Sequence, residues 1–345
     1  MKQQNQQSER LYLVTGVAGN LGSSVAASLI EQGGRVRGLV LEGDPAMTRV
    51  HKNVEVCVGD VTDIGSLERF FTTDSDTELI VIHCAAIITL NPDFNQKVYD
   101  VNYVGTNNII NACILHNVKK LVYVSSTGAI PELPHGKAIS EVMVFDPDAI
   151  VGYYGKTKAM ASQAVLDAVK LYDLDASIVF PTGICGPGDY AYGPVASFIM
   201  DYCAGKMPVG LEGSFNAVDA RDLADAIVSC CDNGRKGEGY ILGNECVTMQ
   251  QMFHLLSEIT SSKEVKTILP AGLSRLLGLA SDLWEKISGN PVRITSFTVY
   301  NMIRNNVFDC TKAKRELGFK TRPFADSIRD TVFWLREENK IQVSV

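Results

Sequence analysis

Nine cysteines are scattered along the 345 residues, and no two of them form a Cys-x-x-Cys pair. With that spacing missing there is no metal centre to expect. Cys84, Cys113 and the adjacent Cys230-Cys231 lie in apolar runs, which makes them buried, reduced thiols of a cytoplasmic protein. No stretch reaches the ~18 uninterrupted apolar residues of a membrane span. Met1 to Arg10 is polar, without the apolar centre of a signal peptide. Positive charge is in short supply: 32 Lys and Arg against 39 Asp and Glu leave a net charge of −7. That balance argues against nucleic acid, whose phosphates call for clustered cations. The shortage is sharpest from Leu171 through Gly205, where neither Lys nor Arg occurs. Repeats, low-complexity tracts and Ser/Gly-rich linkers are also missing.

What is present is ordinary for a globular protein with a sizeable core: 46% hydrophobic and 21% charged residues. The length suits one large α/β unit with an elaborated C-terminal part. Continuous apolar runs at Leu11–Thr15, Val36–Leu41, Val54–Val58, Leu79–Cys84, Leu121–Val124 and Ala176–Phe180 read as strands covered on both faces. Helix-period segments alternate with them at Asn20–Gln32, Ile64–Phe71, Phe94–His116 and Tyr153–Leu171. The alternation predicts right-handed crossovers and a doubly wound parallel sheet. After Phe180 the rhythm changes. Pro181–Gly193 is a Gly/Pro-rich loop, Asp222 is a candidate N-cap for Leu223–Cys231, and Thr248-Met-Gln-Gln251 has the pattern of a capping box. Ala271–Ile287 and Phe324–Glu338 are further amphipathic helices. The expected division is a dinucleotide-binding core over 1–181, rejoined by 215–243, with 182–214 and 244–345 forming a smaller, mostly helical substrate part.

Gly16, Gly19 and Gly22 stand between the first strand and the first helix. One glycine permits the tight turn, another lets the backbone approach a pyrophosphate, and the third allows close helix–sheet contact. The helix N-terminus then offers unpaired N–H groups to the anion. After the second strand an acidic residue would accept ribose hydroxyls and repel a 2′-phosphate. Glu42 lies near that place, after Leu41, and favours NAD, with NADP as the alternative; Arg35 and Arg37 lie earlier in the strand.

Tyr154 and Lys158, in Tyr-Gly-Lys-Thr-Lys, are i and i+4 and share a helix face. A free tyrosine has a pKa of about 10. A neighbouring ammonium is expected to lower it, so that the phenol can exchange a proton with an alcohol or ketone. Tyr202-Cys-Ala-Gly-Lys206 repeats the spacing, but it falls after the last sheet strand and Gly205 interrupts its helix.

The Gly-x-x-Gly-x-x-Gly spacing resembles the short-chain dehydrogenase/reductase superfamily in its extended, epimerase/dehydratase-like branch. Gly59-Asp60-Val61, His83-Cys84-Ala85-Ala86, Asn102-Tyr-Val-Gly105-Thr106, Ser125-Ser126, Pro181-Thr-Gly-Ile-Cys-Gly186-Pro187 and Glu316-Leu-Gly318-Phe agree with it in order. The resemblance implies a Rossmann fold. It also implies cofactor contacts from Gly16, Gly19, Asn20, Leu21, Gly22, Glu42, Asp60, Val61, Ala85, Ala86, Pro181, Gly183 and Ile184, together with Tyr154 and Lys158. It carries over Tyr154 as acid/base, Lys158 as its tuner and ribose ligand, Ser126 as the orienter of the substrate oxygen, and Asn102 as a supporting relay. Ser125 and Thr127 are alternatives to Ser126. Against these roles stand duller ones: Asp60 as a turn cap, His83 as a satisfied strand end, Asn102 as a bridge between backbone groups.

Enzymes of this branch act on nucleotide sugars or on apolar alcohols and ketones. A diphosphate calls for arginine, and Phe180 stands where an arginine usually precedes the loop proline. Tyr190, Tyr192, Val195, Phe198, Ile199 and Met200, followed by Leu273, Leu276, Leu277, Leu279, Leu283 and Trp284, favour an apolar pocket. The nearest resemblance is to 3β-hydroxysteroid dehydrogenases and dihydroflavonol reductases, and the expected substrate is a 3β-hydroxysteroid-like or similar secondary alcohol or ketone. Arg221 and Arg275 keep a nucleotide-sugar epimerase/dehydratase as the alternative, and a non-catalytic dinucleotide sensor is a third reading. A homodimer through the two long helices flanking the central strands is common among similar proteins. The Ala271–Ile287 helix, with Ser274, Arg275, Asp282, Glu285 and Lys286 as its polar face, could touch a membrane surface.

Overall fold

The computed structural model of the chain describes residues 9–74, 76–290, 292 and 294–342. Its strands are β1 (Arg10–Thr15), β2 (Arg35–Val40), β3 (Val54–Val58), β4 (Glu78–His83), β5 (Lys120–Val124), β6 (Ala176–Pro181), β7 (Gly183–Cys185), β8 (Gly210–Leu211), β9 (Ser214–Asp219), β10 (Gly239–Leu242), β11 (Cys246–Thr248) and β12 (Ile268–Leu269). Its α-helices are α1 (Asn20–Glu31), α2 (Glu68–Phe71), α3 (Gln96–Tyr99), α4 (Gly105–Leu115), α5 (Tyr153–Tyr172), α6 (Pro194–Cys203), α7 (Ala220–Asn233), α8 (Met249–Thr260), α9 (Ala271–Ser288), α10 (Ser296–Ile303), α11 (Thr311–Glu316) and α12 (Phe324–Glu337).

Seven strands form one sheet in the order β10-β6-β5-β4-β1-β2-β3, and every neighbouring pair is parallel. α1 packs on α7, and α4 on α5. This explains why the central strands are apolar throughout: Leu13, Val14, Val81, Ile82 and Val122 are buried regardless of the face they point to. The strand order reverses between β1 and β4, which opens a crevice at their C-terminal ends.

The doubly wound sheet agrees with the sequence expectation, with three differences. β10 adds a seventh strand; the C-terminal part is mostly helical and carries two small sheets, β11-β9-β7 and β12-β8. The N-cap of α7 is Asp219, which accepts a hydrogen bond from the Arg221 amide. Asp222 sits inside the first turn, where its carboxylate pairs with Arg322 at 2.8 Å. The single helix expected from Phe94 to His116 begins at Gln96 and is interrupted by a π-turn at Asp100–Val104 between α3 and α4. The capping box at Thr248 and Gln251 forms as its pattern indicates.

Close approach fixes two glycines of the first loop. Gly16 has φ of +68°, and a Cβ there would lie 2.9 Å from the Ala85 backbone. A Cβ on Gly22 would stand 2.1 Å from the Gly16 carbonyl oxygen. Gly22→Ala should therefore lose about 1–3 kcal/mol of stability through overpacking, seen as a lower Tm in thermal denaturation together with weaker NADH binding.

Candidate functional site

The loop from β1 into α1 ends at Gly19, the N-cap, and no side chain caps the first helical turn. Asn20 Oδ1 is buried there without a hydrogen-bond partner. A buried acceptor left unpaired costs about 1–3 kcal/mol. With the glycine turn and the uncapped helix end beside it, the loop fits a phosphate-bearing dinucleotide.

A chain of hydrogen bonds runs from this loop toward α5. Thr15 Oγ1 lies 2.7 Å from His83 Nδ1 and accepts from the Ala85 amide at 3.1 Å. His83 Nε2 lies 3.1 Å from Thr106 Oγ1, which donates to the Asn102 carbonyl at 2.7 Å. With those two directions set, Nε2 carries the proton and Nδ1 accepts from Thr15. Burial, with a smaller contribution from Lys158, brings the imidazole pKa down to about 3, so His83 is neutral.

Asn102 is fully buried in the π-turn. Its Oδ1 accepts from the Ile87 amide at 2.8 Å, and its Nδ2 donates to the Ile87 carbonyl at 3.0 Å and to Thr157 Oγ1 at 3.1 Å. Thr157 Oγ1 donates in turn to the Tyr154 carbonyl at 2.8 Å. Asn102 thus grips backbone, and it reaches the turn that carries Tyr154 only through Thr157. Thr15, Thr106 and Thr157 escape a reading that looks for titratable groups. The one available signal for Thr157 is its place inside the Tyr-Gly-Lys-Thr-Lys motif.

The serine–threonine run after β5 resolves into three fates. Ser125 Oγ pairs with Ser162 Oγ at 2.7 Å, and Thr127 Oγ1 donates to the Pro181 carbonyl at 3.2 Å. Ser126 Oγ accepts from the Gly128 amide at 3.1 Å and hydrogen-bonds the Tyr154 hydroxyl. Lys158 is 2% exposed, donates to the Val124 carbonyl at 2.8 Å and lies over the Tyr123 ring.

The expected acidification of Tyr154 is not found. Burial pushes its pKa up to about 12, only partly offset by the hydrogen bond from Ser126. Burial likewise brings Lys158 down to about 7. Removal of water dominates both shifts, and the ammonium is turned toward the Val124 carbonyl.

Elsewhere, Asp60 Oδ1 accepts from both the amide and the hydroxyl of Thr62 at 2.8 Å, so it does cap its turn. Leu41 and Glu42 are exposed at the end of β2. Arg35 pairs with Glu9, while Arg37 is held by Glu55 and by the carbonyls of Phe70 and Thr72. Val61 is buried against Gly105. Ala85 and Ala86 follow β4, Pro181 closes β6, and Gly183 and Ile184 pair with Ala217 and Val218 of β9. Tyr202 is buried against Phe253 and donates to the Lys263 carbonyl at 3.2 Å, and Lys206 pairs with Asp201. Its repeat of the Tyr/Lys spacing is structural.

A cavity of about 1450 Å³ opens beside Gly183 and the Leu90–Asp93 loop. Two of its walls abut the start of α5. The Pro92 carbonyl accepts from the Tyr153 amide at 3.1 Å, and the Phe297 ring lies where a Cβ on Gly152 would meet it at 2.3 Å. Tyr192, Val195, Phe198 and Met200 line the cavity, joined by Met207, Phe215, Met252, Phe253 and Met302. Tyr190 and Ile199 do not. Tyr190 meets Trp334 edge to face, and Ile199 is fully buried in the C-terminal core. Leu273, Leu276, Leu277, Leu279, Leu283 and Trp284 do not line it either, because they face solvent. No arginine is among the described lining residues; the cations there are Lys206, Lys286 and Lys340. Arg221 is committed to Asp219 and Asp330, each at 2.7 Å.

Residues 12–243 match the NAD dependent epimerase/dehydratase family. The chain belongs to that family, whose cofactor is NAD. It is 29% identical over 334 residues to the sterol demethylase protein B of Methylococcus capsulatus, covering 95% of this chain and 99% of that one. To the vaccinia virus 3 beta-hydroxysteroid dehydrogenase/Delta 5-->4-isomerase it is 26% identical over 357 residues, with 95% and 99% covered. Among solved structures, gox2253 superposes with a TM-score of 0.84 at 30% identity, covering 97% of this chain and 100% of that one. The UDP-glucose 4-epimerase of Thermotoga maritima, with a TM-score of 0.76 at 22% identity over 96% and 99%, shares the fold.

Thr157→Val strands the Asn102 amide and frees the Tyr154 turn. It should lower kcat about 10-fold or more, by the loss of a positioned acid/base, with cofactor KM nearly unchanged. Thr157→Ser should restore the rate in steady-state assays.

Proposed function

We propose that the chain is an NAD-dependent oxidoreductase that interconverts a secondary alcohol and a ketone on an apolar, 3β-hydroxysteroid-like substrate. The observation carrying this reading is the cavity: large, lined by methionine, phenylalanine and valine, and without a described arginine to clamp a diphosphate. The sterol and hydroxysteroid names of the relatives support it.

Gly16, Gly19, Asn20, Leu21, Gly22, Glu42, Asp60, Val61, Ala85, Ala86, Pro181, Gly183, Ile184 and Lys158 would hold the dinucleotide, with Glu42 favouring NAD over NADP. When bound, its nicotinamide takes or supplies the hydride. Ser126 orients the substrate oxygen toward Tyr154, which gives a proton to a ketone or takes one from an alcohol at its hydroxyl. Lys158, desolvated and with its pKa brought down to about 7, stands one helical turn from the phenol and would hold the ribose of the cofactor. Asn102 positions α5 through Thr157.

Tyr154→Phe should abolish turnover while NADH binding, followed by fluorescence, persists; full residual activity would refute the assignment. Because burial raises the phenol pKa to about 12, Tyr154 is protonated at neutral pH and ready to donate. Ketone reduction should therefore be flat through neutrality and fall only in alkali, whereas alcohol oxidation should climb with pH as the phenol ionises. Lys158→Met should leave the position of that climb unchanged in kcat/KM profiles, because Lys158 is already neutral in alkali, and should instead raise the cofactor KM through loss of the ribose contact.

One observation favours nucleotide-sugar epimerisation as a second reading: Lys206, Lys286 and Lys340 reach the same cavity. Following NADH and NADPH absorbance with 3-ketosteroids, 3-hydroxysteroids, small aromatic ketones and UDP-sugars separates the two. Conversion of UDP-glucose to its epimer without net cofactor change overturns the apolar-substrate reading.

A further inference from the structure

Helix α9 is oriented the opposite way from an ordinary surface helix. Leu273, Leu276, Leu279, Leu283, Trp284 and Ile287 are 55–72% exposed. At 3.6 residues per turn they form one stripe about 140° wide. The inward side is small and polar. Ser274 is fully buried and donates to the carbonyls of Leu269 and Pro270. A Cβ on Gly278 would lie 2.9 Å from the Ser296 Cα, so α9 rests backbone against backbone on the start of α10. Asp282 accepts from the Ser296 amide at 3.1 Å and from its hydroxyl. Turning the leucines inward would bring Ser274 out of the interior and break the Gly278 and Asp282 contacts with Ser296. The packing of the fold itself therefore holds the apolar stripe in solvent.

Charge is distributed as unevenly. The exposed charged residues of α9 are Arg275 and Lys286, which both fall on one border of the stripe, whereas Asp282 and Glu285 are drawn inward. We propose that this face docks on an anionic lipid surface. A stripe of leucine with tryptophan, bordered by cations and bare of anions, matches the headgroup–acyl boundary of such a bilayer. A second copy fits less well, because two-fold pairing would set cation borders against each other with no carboxylate on either face to meet them. The helix lies on the bilayer and does not cross it, since no helix among the described residues is long and apolar enough to span. The inner side of the same helix, through Asp282 and Glu285, walls the large cavity, which Lys286 also reaches from the border of the stripe. That cavity therefore lies one helix thickness from the lipid.

The test uses the full chain and needs no turnover, so it stands apart from the assignment of the reaction. Flotation with phosphatidylcholine/phosphatidylglycerol vesicles should carry the protein, and pure phosphatidylcholine should carry much less. Trp284 emission should shift to the blue on the mixed vesicles, and Trp284→Phe, which keeps the buried Trp334, should lose the shift. The double variant Leu276→Gln/Leu283→Gln should bind about tenfold or more weakly, and Arg275→Glu should weaken binding to mixed vesicles selectively. Circular dichroism and NADH binding check that these solvent-side changes leave the fold intact. The proposal is overturned if neither vesicle binds, if both bind alike, or if the double variant binds as the wild type does. It is equally overturned if sedimentation shows a dimer that the double variant dissolves.

Discussion

The carboxamide of Asn102 holds together the parts on which everything else depends. Sealed from water, it has partners for both its amide nitrogen and its oxygen, and those partners belong to separate segments: the stretch after β4 and the first turns of α5. A group this deep tolerates no loosening, because each broken bond leaves an unpaired dipole in a low-dielectric interior. The π-turn that brings it into place departs from regular helix geometry, a distortion found at functional sites more often than elsewhere. Through Thr106, His83 and Thr15 the same network reaches the glycine loop. The loop fitted to the dinucleotide and the helix bearing the phenol are thus one mechanical piece.

Desolvation sets the electrical character of the site. It holds His83 neutral, keeps Tyr154 protonated and brings the Lys158 ammonium to the edge of losing its charge. The adjoining cavity continues this theme with thioether and aromatic walls. A charged substrate would have to bring its own counterions or recruit the lysines at the cavity wall. An apolar one need only shed water.

How much of this could be read in advance depended on length and burial. The six long strands announced themselves because both faces of each are covered, which leaves apolar runs with no polar interruption. β10, with four residues, and β7 and β11, with three, carry too little pattern to stand out. Asp219 and Asp222 are one turn apart and chemically equal as caps; only the fold decides that the first closes the helix and the second meets Arg322. The Tyr154/Lys158 pair was legible from its spacing, whereas the direction of its titration was not, since that depends on how much water the surrounding segments exclude. The apolar stripe of α9 was equally visible. That it faces outward follows from Gly278 and Asp282 meeting the start of α10, a tertiary fact with no local signature.

The route of the chain has a further consequence. After β6 it leaves the main sheet, builds the small β7–β9 pairing, and only then returns through α7 to lay β10 against β6. α7 also covers α1, the helix that follows the glycine loop. A fragment ending at Pro181 would therefore expose β6 as a bare edge and strip the outer cover from α1. Natural shuffling of genes could not exchange the C-terminal portion as a cassette without also rebuilding the nucleotide-binding half. Diversification of such a scaffold must proceed by substitution within the loops.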